Sequence, residues 1–271
     1  QDPDAVEEAS ARLRGLPATV VRSNFAAMRE VLLGLGIGGV DGILLDIGVS
    51  SHQLDTPERG FSYHADAPLD MRMSKSGKTA ADLIAVLPEQ ELAALFSRYG
   101  EEPFARRIAR AIVRARESGP VDTTGALAEL VKGAVPAAAR RDGHPARRVF
   151  QALRIAVNGE LDRLSEGLDA AFDCLNEGGR LAVITFHSLE DRMVKQRFAE
   201  WRKGCTCPPD FPVCVCGRTP SRSCAVPRPP RSGSWRRIPE AAVPSCGASE
   251  SVMNDIGSVL DTAVRKEQPS W

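Results

Sequence analysis

Three residues able to do chemistry stand where apolar runs stop. Val40-Asp41-Gly42-Ile43-Leu44-Leu45 ends in Asp46, Leu181-Ala182-Val183-Ile184-Thr185-Phe186 ends in His187, and Ala18-Thr19-Val20-Val21 passes through Ser23-Asn24 to Phe25. If these runs are parallel strands, their carboxyl ends are where ligands bind in an open sheet. A carboxylate directly after Ile-Leu-Leu must be solvated, paired or functional, and Asp46 could accept hydrogen bonds from an amine or a hydroxyl. Phe25 could stack on a base or pack at a helix start. His187 could move a proton, or cap the helix that opens at Ser188-Leu189-Glu190-Asp191.

Other segments add chemistry of their own. Residues 48–63 make a long, polar, glycine-punctuated loop that carries Arg59, Phe61 and Tyr63, and it suits a lid over a nucleotide base. Asp70-Met71-Arg72-Met73 reads equally as a salt bridge beside a packed methionine and as a substrate contact. Cys205, Cys207, Cys214 and Cys216 bring four thiols within a dozen residues, enough for a tetrahedral zinc ion. Their one-residue spacing is less usual than two for such chelates, and reduced loop thiols are the competing reading.

The elements that must position these groups alternate. Asp2 reads as a helix cap and Pro3 as the first helical residue, with Gly15 the stop. A strand at 18–21, a helix carrying Met28, Leu32 and Leu35, and a strand at 40–46 of the kind covered on both faces follow. Much later, Leu153, Val157, Leu161, Leu164, Leu168, Phe172 and Leu175 step by three or four as one helix over 150–175, before the strand at 181–186. This order predicts an α/β fold with a parallel sheet. Between the two blocks, Ala-rich helical stretches at 80–86, 89–98 and 103–116 predict a helical insertion over 75–148. In the third of these, Arg106, Arg107, Arg110 and Arg114 form either a solvated face or a phosphate-contacting one. The expected organisation is a core over 1–74 and 149–204, the insertion between them, a Cys-rich loop at 205–220 and an irregular tail at 221–271.

Composition narrows the class. The 271 residues carry 35 Lys and Arg against 35 Asp and Glu, so a nucleic-acid partner must be held by local basic patches. Seven cysteines, four of them crowded together, do not resemble a secreted disulfide framework. No apolar run reaches the roughly 18 residues a membrane helix needs. The expectation is a soluble, cytoplasmic protein without a membrane partner.

Six motifs in order carry a resemblance. Leu44-Leu45-Asp46-Ile47-Gly48-Val49-Ser50-Ser51, Glu58-Arg59-Gly60-Phe61-Ser62, Pro68-Leu69-Asp70-Met71-Arg72-Met73, Tyr99-Gly100-Glu101-Glu102, Arg148-Val149-Phe150-Gln151-Ala152-Leu153-Arg154-Ile155 and Phe186-His187-Ser188-Leu189-Glu190-Asp191-Arg192 resemble the bacterial small-subunit ribosomal RNA cytosine-N4 methyltransferases. The resemblance implies a Rossmann-like core with a helical insertion for RNA. It also implies S-adenosylmethionine as methyl donor and a cytosine amine in the decoding centre of 16S ribosomal RNA, in the small subunit, as acceptor. It places Phe25, Asp46 and Gln53 at cofactor contacts. No catalytic residue transfers as firmly; Asp46, the backbone of 48–51 and His187 are the available acceptors for the target amine. A noncatalytic RNA-binding or zinc-stabilised module, or an inactive fragment, that has lost cofactor binding is the competing class, and a DNA amino-methyltransferase would carry Pro-Pro-aromatic where Ile47-Gly48-Val49 stands.

The sequence also departs from that family. The family's glycine-rich cofactor loop and the acid ending its second strand would lie before Gln1, so the chain reads as truncated there and is expected to bind cofactor weakly or not at all. Residues 221–250 lack the family's closing Arg-Ser-Ala-Lys-Leu-Arg-like run, and they read as either a shifted reading frame or a natural divergent tail.

Overall fold

Local capping chemistry sets the first elements. The structure, a computed structural model, describes residues 1–140, 143–203, 207 and 240–242. Helix α1 (Pro3–Arg12) starts as predicted, with the Asp2 side chain accepting from Asp4 N at 3.1 Å and proline where an amide would have no partner. Residues 18–22 form no strand. Among the described residues they have no neighbouring strand, and without a ladder an extended segment leaves its backbone groups unpaired. Asn24 then caps a single 3-10 turn, Phe25–Ala27, which leads into α2 (Met28–Gly34).

Strand β1 (Val40–Asp46) ends where the sequence predicts. Ser50 and Gln53 close a reciprocal capping box on the short α3 (Ser51–Asp55). A helical body follows: α4 (Ala80–Val86), α5 (Glu89–Gly100), α6 (Ala105–Ser118), α7 (Thr124–Ala134) and α8 (Arg147–Asn158). Its core gathers Ile84, Leu92, Phe96, Ile108, Ile112, Leu127 and Leu153, each almost fully buried. The same cluster takes in Phe61, Leu69, Met71 and Met73 before the expected insertion and Val149 and Phe150 after it, so the packing reaches past both ends of 75–148.

The single helix expected over 150–175 is two. Gly159 adopts a left-handed conformation (φ 59°), caps α8 and opens α9 (Glu160–Cys174). The apolar stripe continues across the break, which is why periodicity alone does not reveal it. Strand β2 (Leu175–Ile184) follows α9 directly, earlier than predicted. Gly178-Gly179 lies inside it, at a register irregularity between the Val40–Leu175 and Gly42–Arg180 pairs. β1 and β2 are parallel, with Asp46 opposite Ile184. Helix α10 (Ser188–Lys203) follows, and β3 (Glu240–Ala242) pairs antiparallel on the far side of β2.

One sheet face is covered. Leu45, Leu181 and Val183 pack with Leu164, Leu168 and Ala171 of α9 and with Val194 and Phe198 of α10. The expectation of a strand buried on both faces is not met among the described residues: Leu44 is 55% exposed, and so is Phe186 just past β2.

Candidate active site

Parallel pairing puts Asp46 and the start of the His187 turn at neighbouring strand ends. Asp46 is exposed, and its side chain has no ion pair or hydrogen bond among the described residues. Partial burial nevertheless pushes its carboxyl above the usual aspartate value. The chain leaves β1 through Gly48 (φ 101°), where a Cβ would come within 3.2 Å of the Phe186 ring. The two strand ends therefore touch, and a side chain at position 48 would be both strained and crowded.

Gln53 is 4% exposed and fully engaged. Its Oε1 accepts from Ser50 N at 3.1 Å, and its Nε2 donates to Asp2 Oδ2 at 2.6 Å. That same Asp2 oxygen receives Arg59 Nη1 at 2.9 Å, while Arg59 Nη2 donates to the carbonyls of Arg72 and Met73. The Arg59 side chain is 9% exposed and the Asp2 side chain 8%, so the pair has little solvent around it. The sequence reading treats Asp2 only as a helix cap and Arg59 only as a lid residue; their pairing across 57 positions has no local signal. In Asp70-Met71-Arg72-Met73, Arg72 Nη2 lies 2.6 Å from Asp70 Oδ2, and Met71 is fully buried at φ 63°.

Phe25 lies on α9, where a Cβ at Gly167 would overlap its ring edge, and it belongs to the same apolar cluster as Leu45 and Ile47. His187 is turned inward. Its side chain is 10% exposed, with Nε2 3.2 Å from Glu190 Oε1, and that nitrogen is buried without a hydrogen-bond partner. The distance is that of an ion pair when the ring is protonated. The capping reading also finds support, since Glu190 N donates to His187 Nδ1 at 3.4 Å and Glu190 Oε2 accepts from the Phe186 and His187 amides.

Beside His187 lies Glu160, held by Arg154 through two bonds of 2.8 Å. Burial pushes the Glu160 carboxyl up against the pull of Arg154. Burial acts on Glu190 in the same direction, but the His187 ring and the Phe186 amide outweigh it and hold that carboxyl below its usual value. Glu101, left-handed at φ 47°, accepts from Ser188 Oγ and Arg192 Nη2 and so ties the end of α5 to the start of α10. Of the four cysteines read as zinc ligands, Cys205, Cys214 and Cys216 lie outside the described residues, and Cys207 is half-buried. Two open clefts of about 810 and 790 Å³ lie in the helical body; Arg106 and Arg107 line the second, and neither cleft includes a strand-end residue. No helix among the described residues is long and apolar enough to cross a membrane.

A parallel strand pair with an acid at one strand end, packed on helices and carrying a helical body between its strands, makes a mixed α/β protein, a fold consistent with a methyltransferase core. The chain belongs to the MraW methylase family, whose profile matches residues 1–235. It is 57% identical to a Ribosomal RNA small subunit methyltransferase H of Symbiobacterium thermophilum, over 86% of this chain and 74% of the relative. Identity to the proteins of that name is 55% in Heliobacterium modesticaldum (84% and 75% covered) and 50% in Geobacter sp. (86% and 76%).

Proposed function

We propose that the protein transfers a methyl group from S-adenosylmethionine to the exocyclic N4 amine of a cytosine in the decoding centre of 16S ribosomal RNA. One observation carries the reading: a partly buried carboxylate at the end of β1, Asp46, whose side chain has no partner among the described residues. The names of the relatives supply the substrate class.

The lone pair of cytosine N4 is delocalised into the ring, so the amine must be oriented and its proton taken up. Asp46 accepts one amine N–H and receives the surplus proton. S-adenosylmethionine, when bound, supplies an electrophilic methyl on a cationic sulfur. Asp46 fits that group, because a carboxylate whose charge is poorly solvated is stabilised by a cation beside it. Phe25 and Gln53 belong to the proposed cofactor side. Both are committed in the geometry described, Phe25 to Gly167 and Gln53 to Asp2, so they act there by shaping the wall and the loop. His187, turned into its carboxylate pocket, serves as a positioning residue that ties the turn after β2 to Glu190 at the start of α10.

The N4 atom is reachable only in an unstacked base, and RNA phosphates need cations. The exposed Arg106, Arg107 and Arg114 of α6, with Arg147 and Arg148 at the start of α8, suit that task, and residues 75–148 act as the RNA-substrate subdomain of a cytoplasmic enzyme working on the small ribosomal subunit. Zinc on the cysteine loop has the spacing of its thiols as its only support. Mass spectrometry of 16S ribosomal RNA from cells lacking the gene tests the assignment: one N4-methylcytidine should disappear and return with the gene, and an unchanged modification overturns it.

A further inference from the structure

We infer that Glu160, His187 and Glu190 form a binding site for one divalent transition-metal ion behind the end of β2. One donor atom from each residue lies within 4.8 Å of the other two, so small side-chain adjustments bring all three to the roughly 2.0–2.3 Å reach of a metal bond. The site is buried: the side chains of Glu160 and His187 are each 10% exposed and that of Glu190 is 2% exposed.

Three further features distinguish this cluster from a surface group of acids. His187 Nε2 is a buried nitrogen with no hydrogen-bond partner, and it faces the two carboxylates. Each carboxylate is anchored from behind, Glu160 by both nitrogens of the Arg154 fork and Glu190 by the Phe186 and His187 amides, as outer-shell partners anchor metal ligands. Charge points the same way. Two carboxylates face one guanidinium and one imidazole, and with the imidazole neutral, as a metal ligand must be, the remaining negative charge is stabilised by a cation. Placing the metal on Nε2 moves the ring proton to Nδ1, at the expense of the long 3.4 Å contact from Glu190 N.

Two carboxylates with one imidazole select Mn2+ or Zn2+ over Mg2+ and Ca2+, which avoid nitrogen. The ion would join the start of α9, the end of β2 and the start of α10, clamping the strand end beside Asp46. The inference does not depend on the methyl-transfer reading.

Mn2+ is the probe, because carboxylate and imidazole hold it far better than the thiolates of the cysteine loop. The full chain is stripped with chelator and titrated with MnCl2, and free ion is followed by electron paramagnetic resonance. The expected result is one bound equivalent, with affinity at least roughly tenfold weaker in both Glu160→Gln and His187→Gln. Glutamine retains a bond to Arg154 in the first variant and a capping oxygen in the second, and near-ultraviolet circular dichroism checks that each folds. Absence of a bound equivalent in the unaltered chain, or undiminished binding in either folded variant, overturns the site.

Discussion

The helical body and the sheet solve burial differently. In the helical body Phe96, Leu92, Ile108, Ile112 and Leu127 are wholly enclosed by helices on several sides. The sheet buries Leu181 and Val183 on one face, while Leu44 and Phe186 on or near the other stay more than half exposed. Stability is concentrated where no chemistry is proposed, and the proposed chemistry sits on the sparsely covered strand ends. Binding residues are drawn to such sites because a ligand must displace solvent there.

The largest effect expected from breaking this division is on rate. Asp46→Ala should lower methyl transfer by about 100- to 10,000-fold with little change in melting temperature, as read by a labelled-methyl assay beside calorimetry. The same assay across pH sharpens the point. Burial raises the Asp46 carboxyl in the free enzyme, so kcat/KM should fall on acidification at a pH above the ordinary aspartate value of 3.8. Next comes the helical body: Phe96→Ala should lose about 3–5 kcal/mol in denaturant unfolding, against less than about 0.5 kcal/mol for Leu44→Ala on the open face.

A smaller effect tests the join between Phe25 and α9. Gly167→Ala places a methyl group into the Phe25 ring, and about 1–3 kcal/mol should be lost with protection of α9 amides from hydrogen exchange. The smallest concerns acid. Glu190 is held below its usual 4.5, so its stabilisation is complete above that value and fades as pH falls through the lower folded one. Exchange in α10 should therefore accelerate before exchange in α5 as pH drops below about 4.5, and Glu190→Gln should remove that difference.

What could be read from sequence follows the same division. Local chemistry was legible: Asp2-Pro3 started α1, and Ile43-Leu44-Leu45-Asp46 marked the end of β1. The strand expected at 18–21 failed because strand propensity needs a neighbour to pair with. The break at Gly159 stayed hidden because hydrophobic spacing continues through it. The contacts that organise the site link positions far apart: Asp2 with Gln53 and Arg59, and Glu160 with His187 and Glu190. No window of neighbouring residues contains them. Only the Glu190 partner of His187, three residues away, had a local signature.

Gly159 has one more consequence. Helix α8 belongs to the helical body and α9 to the sheet, so a single residue fixes the phase between two apolar seams. Inserting one amino acid into the first turn of α9 would turn the residues after it by about 100° around the helix axis relative to that joint. Leu164 and Leu168 would then rotate away from the strands they cover while the upstream seam kept its fit. The joint works as a keyed coupling, in which sequence length, more than side-chain identity, carries the alignment.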